Sequence, residues 1–199
     1  QRGRGGPGEV LGPDDPGIRP FMASLRLNFA DFFPMFDTPF LYGSGWSEED
    51  DNNRNYVVVL SKEMNERIFG GENSVGRTVR IAASEFQVVG VLDHWQPVPR
   101  FYDVTVGAFN DIEDVFMPFY IKQELELGTG GNTNCWKSPE GEGFQAFLNS
   151  ECVNYQFWAE LPTQQDKQDY MNFLNSYVEE QKLLGRFERP LNNLYLITI

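Results

Sequence analysis

The chain has 199 residues, of which 41% are hydrophobic, 15% aromatic and 23% charged, a composition that folds and has room for one domain or two small lobes. Its 29 acidic against 16 basic side chains leave a net charge of −13, which repels phosphate backbones and anionic membranes and so excludes a nucleic-acid partner. No apolar run reaches the ~18–20 residues of a membrane helix, and a first residue other than Met fits either a mature secreted protein or a piece of a longer one.

Residues 1–20, rich in Gly, Pro and Arg, show no apolar periodicity and read as an extended or mobile leader. Order is expected from Phe21, where Leu25, Leu27 and Phe29 alternate with Ser24, Arg26 and Asn28 as in a half-buried strand. An apolar knot broken by Pro34 spans Asp31 to Phe36, and a glycine turn covers Tyr42 to Trp46. The run Glu48-Glu49-Asp50-Asp51 lacks the spaced ligands, central Gly and terminal Glu of a calcium loop and is expected to be a solvated acidic turn. Tyr56 to Leu60 reads as a buried strand. Ser61 then caps a short helix carrying Met64, Ile68 and Phe69, which Gly70-Gly71 ends. Strands are expected at Thr78–Ile81 and Phe86–Leu92 with a tight turn at Ala83-Ser84, and again at Val115–Phe119, followed by a turn or two of helix from Ile121 to Leu127.

The Gly- and Asn-rich stretch from Gly128 to Gly143 is a long loop. Val153, Tyr155 and Phe157 alternate as in a strand. Thr163 then caps a long helix, with Asp166 at the capping-box position, whose face carries Tyr170, Phe173, Leu174, Tyr177 and Leu184 before Gly185 ends it. With a last strand from Leu194 to Ile199 this makes a βαβ unit.

Catalytic signatures are sparse. His94 is the only histidine, so a Ser-His-Asp or Cys-His mechanism must run through it, and no G-x-S-x-G elbow accompanies it. Cys135, Cys152 and His94 match no zinc-ligand spacing, and Gly128-Thr129-Gly130-Gly131 lacks the Lys and Ser/Thr of a phosphate loop. We therefore expect no catalytic residues, no metal and no cofactor. A carboxylate-pair glycosidase or carbohydrate-binding module using Trp46, Trp95, Trp136 and Trp158 is the alternative left open by this count. Cys135 and Cys152 either close one bridge, worth about 3 kcal/mol in the chain-entropy model, or stay as two thiols.

Six segments in order carry a family resemblance: Phe32-Phe33-Pro34-Met35-Phe36, Gly45 to Asp50, Tyr56 to Ser61, Ile68-Phe69-Gly70, Asn73 to Thr78, and Phe86 to Val91. Together they resemble the periplasmic core domain of MacB/FtsX-like ABC transporter permeases. The resemblance implies an α+β fold in which a porter-like βαβ lobe (residues 21–36 plus 152–199) carries an inserted β-rich, Sabre-like lobe (37–151), after the flexible leader 1–20. It further implies a non-catalytic extracytoplasmic domain on the periplasmic face of the bacterial inner membrane. Such a domain transmits ATP-driven motion and contacts substrate or periplasmic proteins. Its partners would be the permease's own transmembrane helices, a cytoplasmic ATPase, a periplasmic adaptor and a second copy in a homodimer. A stand-alone periplasmic adaptor or sensor is the third reading. Because the family lobe normally starts with an earlier βαβ unit, a sheet edge is expected to lie open here, favouring dimerisation or swapping. A periplasmic setting favours the Cys135–Cys152 bridge, and Asn132, Asn134 and Trp136 beside it are the expected partner contact.

Overall fold

The structure is a computed structural model that describes residues 5–11 (backbone), 21–103, 107–127, 133–153 and 155–186. It is α+β, and the chain parts into two compact units, Gln1–Asn132 and Thr133–Ile199.

The first unit is built on a mixed seven-stranded sheet. Its strands are β1 (Gly5–Leu11), β2 (Phe21–Asn28), β3 (Phe40–Gly43), β4 (Val57–Leu60), β5 (Thr78–Ile81), β6 (Ser84–Leu92) and β7 (Val115–Pro118). They run in the order β3-β6-β4-β7-β2-β1-β5, and β5 also pairs with β6, so six of the strands form a closed ring. β2–β7 and β4–β6 are parallel, and the other pairs are antiparallel.

The alternation of side chains along β4 divides the core. Val58 and Leu60 enter one cluster with Leu25, Ile81, Phe86, Val88, Val115 and Met117. Val57 and Val59 enter another with Phe32, Phe33, Trp46, Tyr102 and Phe116. On β6 the period-two phase slips at a bulge: Val58 faces Val88 but Val59 faces Gly90. With Val89 as the extra residue, Phe86, Val88 and Val91 can all point into the first cluster. A side chain at Gly90 would lie 2.3 Å from the Ser44 carbonyl oxygen, and Gly43, at φ +65°, sits equally tight against Val89, so β3 reaches β6 only because both are glycine.

The helices follow local capping chemistry. α1 (Phe32–Met35) buries Phe32 and Phe33. α3 (Lys62–Phe69) starts where the Ser61 hydroxyl accepts from the Met64 amide and stops at Gly70 in the left-handed region, burying Met64, Ile68 and Phe69. α4 spans Ile121–Glu124. In the second unit, β8 (Asn134–Cys135) pairs with β9 (Cys152–Val153) around α5 (Phe144–Leu148), and α6 (Gln164–Leu183) opens on a capping box between Thr163 and Asp166.

Several expectations change. Part of the span read as a mobile leader is strand β1, paired antiparallel with β2 and β5; its main chain joins the sheet without the apolar alternation that marks a strand in sequence. β1 therefore covers one side of β2. Residues 21–28, assigned with the porter-like lobe, pair with Val115–Pro118 from the expected insert, and the two compact units part after Asn132. The acidic run is α2 (Glu48–Asn53), capped by a Ser47–Asp50 box, with Asp51 buried. The β5–β6 turn lies at Ala82-Ala83, one residue earlier than expected, with both φ values positive. Ser24 and Asn28, expected on an exposed face, are buried, whereas Phe29 is exposed. Beyond Val153, residues 155–162 form no strand. Phe173, Tyr177 and Leu184 of the α6 region are exposed rather than packed. The expected strand Leu194–Ile199, and with it the βαβ unit, lies outside the described residues.

Candidate functional site

The residues singled out in sequence gather on the hairpin that opens the second unit. A disulfide joins Cys135 to Cys152, two residues that face each other across the β8–β9 ladder, with Asn134 opposite Val153. Trp136 follows directly; its amide donates to the Glu151 carbonyl at 3.3 Å while its side chain stays 54% exposed. Asn132 lies outside the described residues. The hairpin thus presents an indole on a covalently closed base, an arrangement suited to contact rather than to chemistry.

The other tryptophans are placed differently. Trp46 is buried against Phe33 and donates through Nε1 to Asp51 at 3.0 Å. Trp95 stacks on Tyr102 at 5.0 Å. Neither offers the free face that a sugar platform needs. His94 is 73% exposed, with Nδ1 4.0 Å from Glu63. Its neighbour Asp93 is held below its ordinary pKa by the Lys62 ammonium at 2.7 Å, which Asp93 in turn raises. Among the described residues no group of three His, Cys, Asp or Glu side chains can hold a metal ion, and no helix is long and apolar enough to cross a membrane.

The chief polar feature is one that sequence reasoning missed. Arg100, Tyr102, Asp103 and Glu113 are nearly wholly buried, and Arg26 reaches them from β2. The Arg100 Nη2 donates to Asp103 at 3.0 Å and Glu113 at 2.9 Å, and its Nη1 to the Asp111 carbonyl at 2.7 Å. Arg26 adds 3.0 Å to Asp103 and lies over the Tyr102 ring, whose hydroxyl donates to Glu113. Burial and the Glu113 charge push the Tyr102 hydroxyl well above its ordinary pKa. Two basic and two acidic side chains balance, and each carboxyl group is bonded, so this group fixes structure. Arg26 on the polar side of an alternating strand is the only signal that pointed to it.

A shallow cleft of about 440 Å³ lies between α1, β3 and the Gly45-Trp46 segment, lined by Phe33, Pro34 and Phe40 with Asp31 and Asp37. Its aromatic walls are mostly occupied with one another: Phe33 packs on Trp46 at 4.7 Å and on Phe40 at 5.5 Å.

Similarity to known proteins follows this architecture. Over 65 residues the chain is 34% identical to the pyoverdine export ATP-binding/permease protein PvdT of Pseudomonas aeruginosa, covering 33% of this chain and 10% of that protein. Over 71 residues it is 31% identical to the macrolide export ATP-binding/permease protein MacB of Wolinella succinogenes, covering 36% and 11%. The chain thus spans about a tenth of the length of the curated relatives it matches. Among solved structures it is similar to the periplasmic region of MacB from Actinobacillus actinomycetemcomitans, at 22% identity and TM-score 0.46 over 63% of this chain and 50% of that one. It is also similar to the extracellular domain of the ABC-type transporter YknZ from Gram-positive bacteria, at 14% identity and TM-score 0.46 over 62% and 56%. The profile of the MacB-like periplasmic core domain matches residues 10–164, which take in strands β2 to β7, the buried ion cluster and the disulfide hairpin. The chain belongs to the MacB-like periplasmic core domain family.

Proposed function

We propose that this chain is the extracytoplasmic, non-catalytic domain of an ABC transporter permease, standing on the periplasmic face of the inner membrane and relaying ATP-driven movement to proteins or cargo outside it. The observation that carries the reading is the family match across residues 10–164. The export functions in the names of both curated relatives agree with it. In the full protein, membrane helices and a cytoplasmic ATPase supply the energy, and the domain works in a homodimer beside a periplasmic adaptor. A sheet whose core side chains interlock on both faces suits such work, because close-packed interiors pass displacement on instead of absorbing it.

Within this reading, the porter-like and Sabre-like division is carried over as an assignment of spans, and Asn132, Asn134 and Trp136 are the partner contact. The carbohydrate reading loses support, since Trp46 and Trp95 are committed to packing. The deciding experiment deletes the domain from the intact transporter and measures export and ATP turnover. Export should stop while the ATPase persists; unaltered export refutes the proposal. Trp136→Ala should impair export at unchanged thermal stability, and full export by that variant would remove the hairpin from the contact surface.

A further inference from the structure

We propose that the solvent-facing stripe of α6, centred on Phe173 and Tyr177, is a docking surface for a basic amphipathic helix of a separate protein. The proposal rests on the permease reading and adds to it a surface distinct from the Trp136 hairpin.

An α-helix nearly repeats after two turns, so residues about seven apart share one stripe. On α6 this sets Asp166, Phe173 and Glu180 in one row and Tyr170, Tyr177 and Leu184 in the row beside it. The rings join the two rows: Tyr170 stacks on Phe173 at 6.2 Å, and Phe173 on Tyr177 at 6.3 Å. Phe173 is 61% exposed, Tyr177 44% and Leu184 69%. This is not the side by which the helix is already seated. Met171, Leu174 and Val178 are half-buried and Gln181 is buried, and the step of ~100° per residue turns them away from the Phe173 stripe. The helix therefore has two apolar sides, one seated and one bare, where a single packing partner calls for only one.

The occupant follows from the charges. Acidic groups close the stripe at both ends, Asp166 with Asp169 at the start and Glu180 at the finish, while Lys167 and Lys182 fall on other sides of the helix. A second copy laid antiparallel would set Asp166 and Asp169 against Glu180. One laid parallel and in register would set each acid against itself. Either pairing brings like charges together, which disfavours a copy of this chain. An anionic lipid surface is repelled in the same way, and the net charge of −13 adds to that. A helix with an apolar stripe and a Lys or Arg near each end of it matches both parts of the surface. Asp166 and Glu180 stand 14 positions apart in the sequence, so the two cations it needs are spaced by about 21 Å.

The test uses the intact transporter in nanodiscs of neutral lipid. The probe is a fluorescent synthetic helix of about five turns, with leucines on one stripe and a lysine near each end; its control carries glutamates in place of the lysines. Fluorescence anisotropy should show saturable binding of the lysine helix, roughly tenfold tighter than the glutamate helix and weakened by salt. Phe173→Ser should weaken it by roughly tenfold with the unfolding temperature unchanged. Glu180→Lys should also weaken it, and a helix with one lysine exchanged for glutamate should bind that variant better than the lysine helix does. Equal binding of the two helices, no binding, binding that survives Phe173→Ser, or failure of the charge exchange each overturns the proposal. So does a disulfide-linked dimer formed by Phe173→Cys under oxidant, which would place a second copy on the stripe. ATP turnover in the same nanodiscs keeps failure of this surface separate from failure of the permease reading, which the domain deletion scores.

Discussion

Asp51 is the one carboxylate of the acidic run that leaves water, and it does so to accept from the Ala30 amide at 2.7 Å and the Trp46 indole at 3.0 Å. Burial lifts its pKa, the two bonds pull it back only in part, and Asp31 and Asp50 add repulsion. The folded chain then keeps this proton to higher pH than the unfolded chain does. Between the ordinary carboxylate pKa and the raised one the native state binds more protons, so the contribution of Asp51 to stability falls as pH rises. Urea unfolding of the native protein and Asp51→Asn from pH 3 to 6 should show the native protein's relative stability shrinking with pH; a gap that widens contradicts the sign. At the ion cluster, Glu113→Ala strands Arg100 and the Tyr102 hydroxyl in a dry interior and should cost roughly 3–5 kcal/mol. Tyr102→Phe, losing one hydrogen bond to the Glu113 carboxylate while Arg100 keeps its partners, should cost less, roughly 1.5–3 kcal/mol, and equal losses in denaturant titration would mean that the cluster is open to water. Neither site was legible in sequence. Arg26 lies 77 residues from Asp103 and 87 from Glu113, and local pattern carries no information about charges that meet only after the sheet forms.

Elements whose signals are local were readable. Ser61 and Gly70 bound α3, and Thr163 with Asp166 opens α6, because a cap is chemistry between residues three or four apart. β1 was not readable: its pairing partners lie on β2 and β5, and a glycine-rich strand is specified by its neighbours rather than by its own side chains. The β5–β6 turn shows a cost that pattern alone does not reveal. Ala82 and Ala83 hold φ of +48° and +67°, the left-handed pair of a two-residue hairpin that favours Asn-Gly. Each alanine there costs roughly 1–2 kcal/mol, part of which glycine returns as chain entropy. Ala82→Asn with Ala83→Gly should therefore stabilise the first unit by about 1 kcal/mol and raise its Tm by a few degrees. A lower Tm would show that the turn is not left-handed in solution.

The molecule as a whole divides its sources of order unevenly. In the first unit, β5 closes the sheet onto β6 and two apolar clusters fill its faces, so cohesion there is many-sided and independent of cysteine. Among the described residues of the second unit the only buried side chain is Gln181, while Phe173, Tyr177, Leu183 and Leu184 face solvent. A two-residue ladder cannot hold its hairpin by hydrogen bonds alone, which leaves the Cys135–Cys152 bridge, between cysteines 17 positions apart, as the main constraint on residues 136–151. Where a core is thin, covalent closure takes over its role. Reduction, or Cys135→Ser with Cys152→Ser, should therefore release the hairpin and leave the sheet intact. Hydrogen exchange read by mass spectrometry should show peptides across 136–151 losing protection at least tenfold while Val57–Leu60 and Val115–Pro118 keep theirs. Loss in both places would mean that the first unit depends on the bridge, and loss in neither that packing holds the hairpin without it.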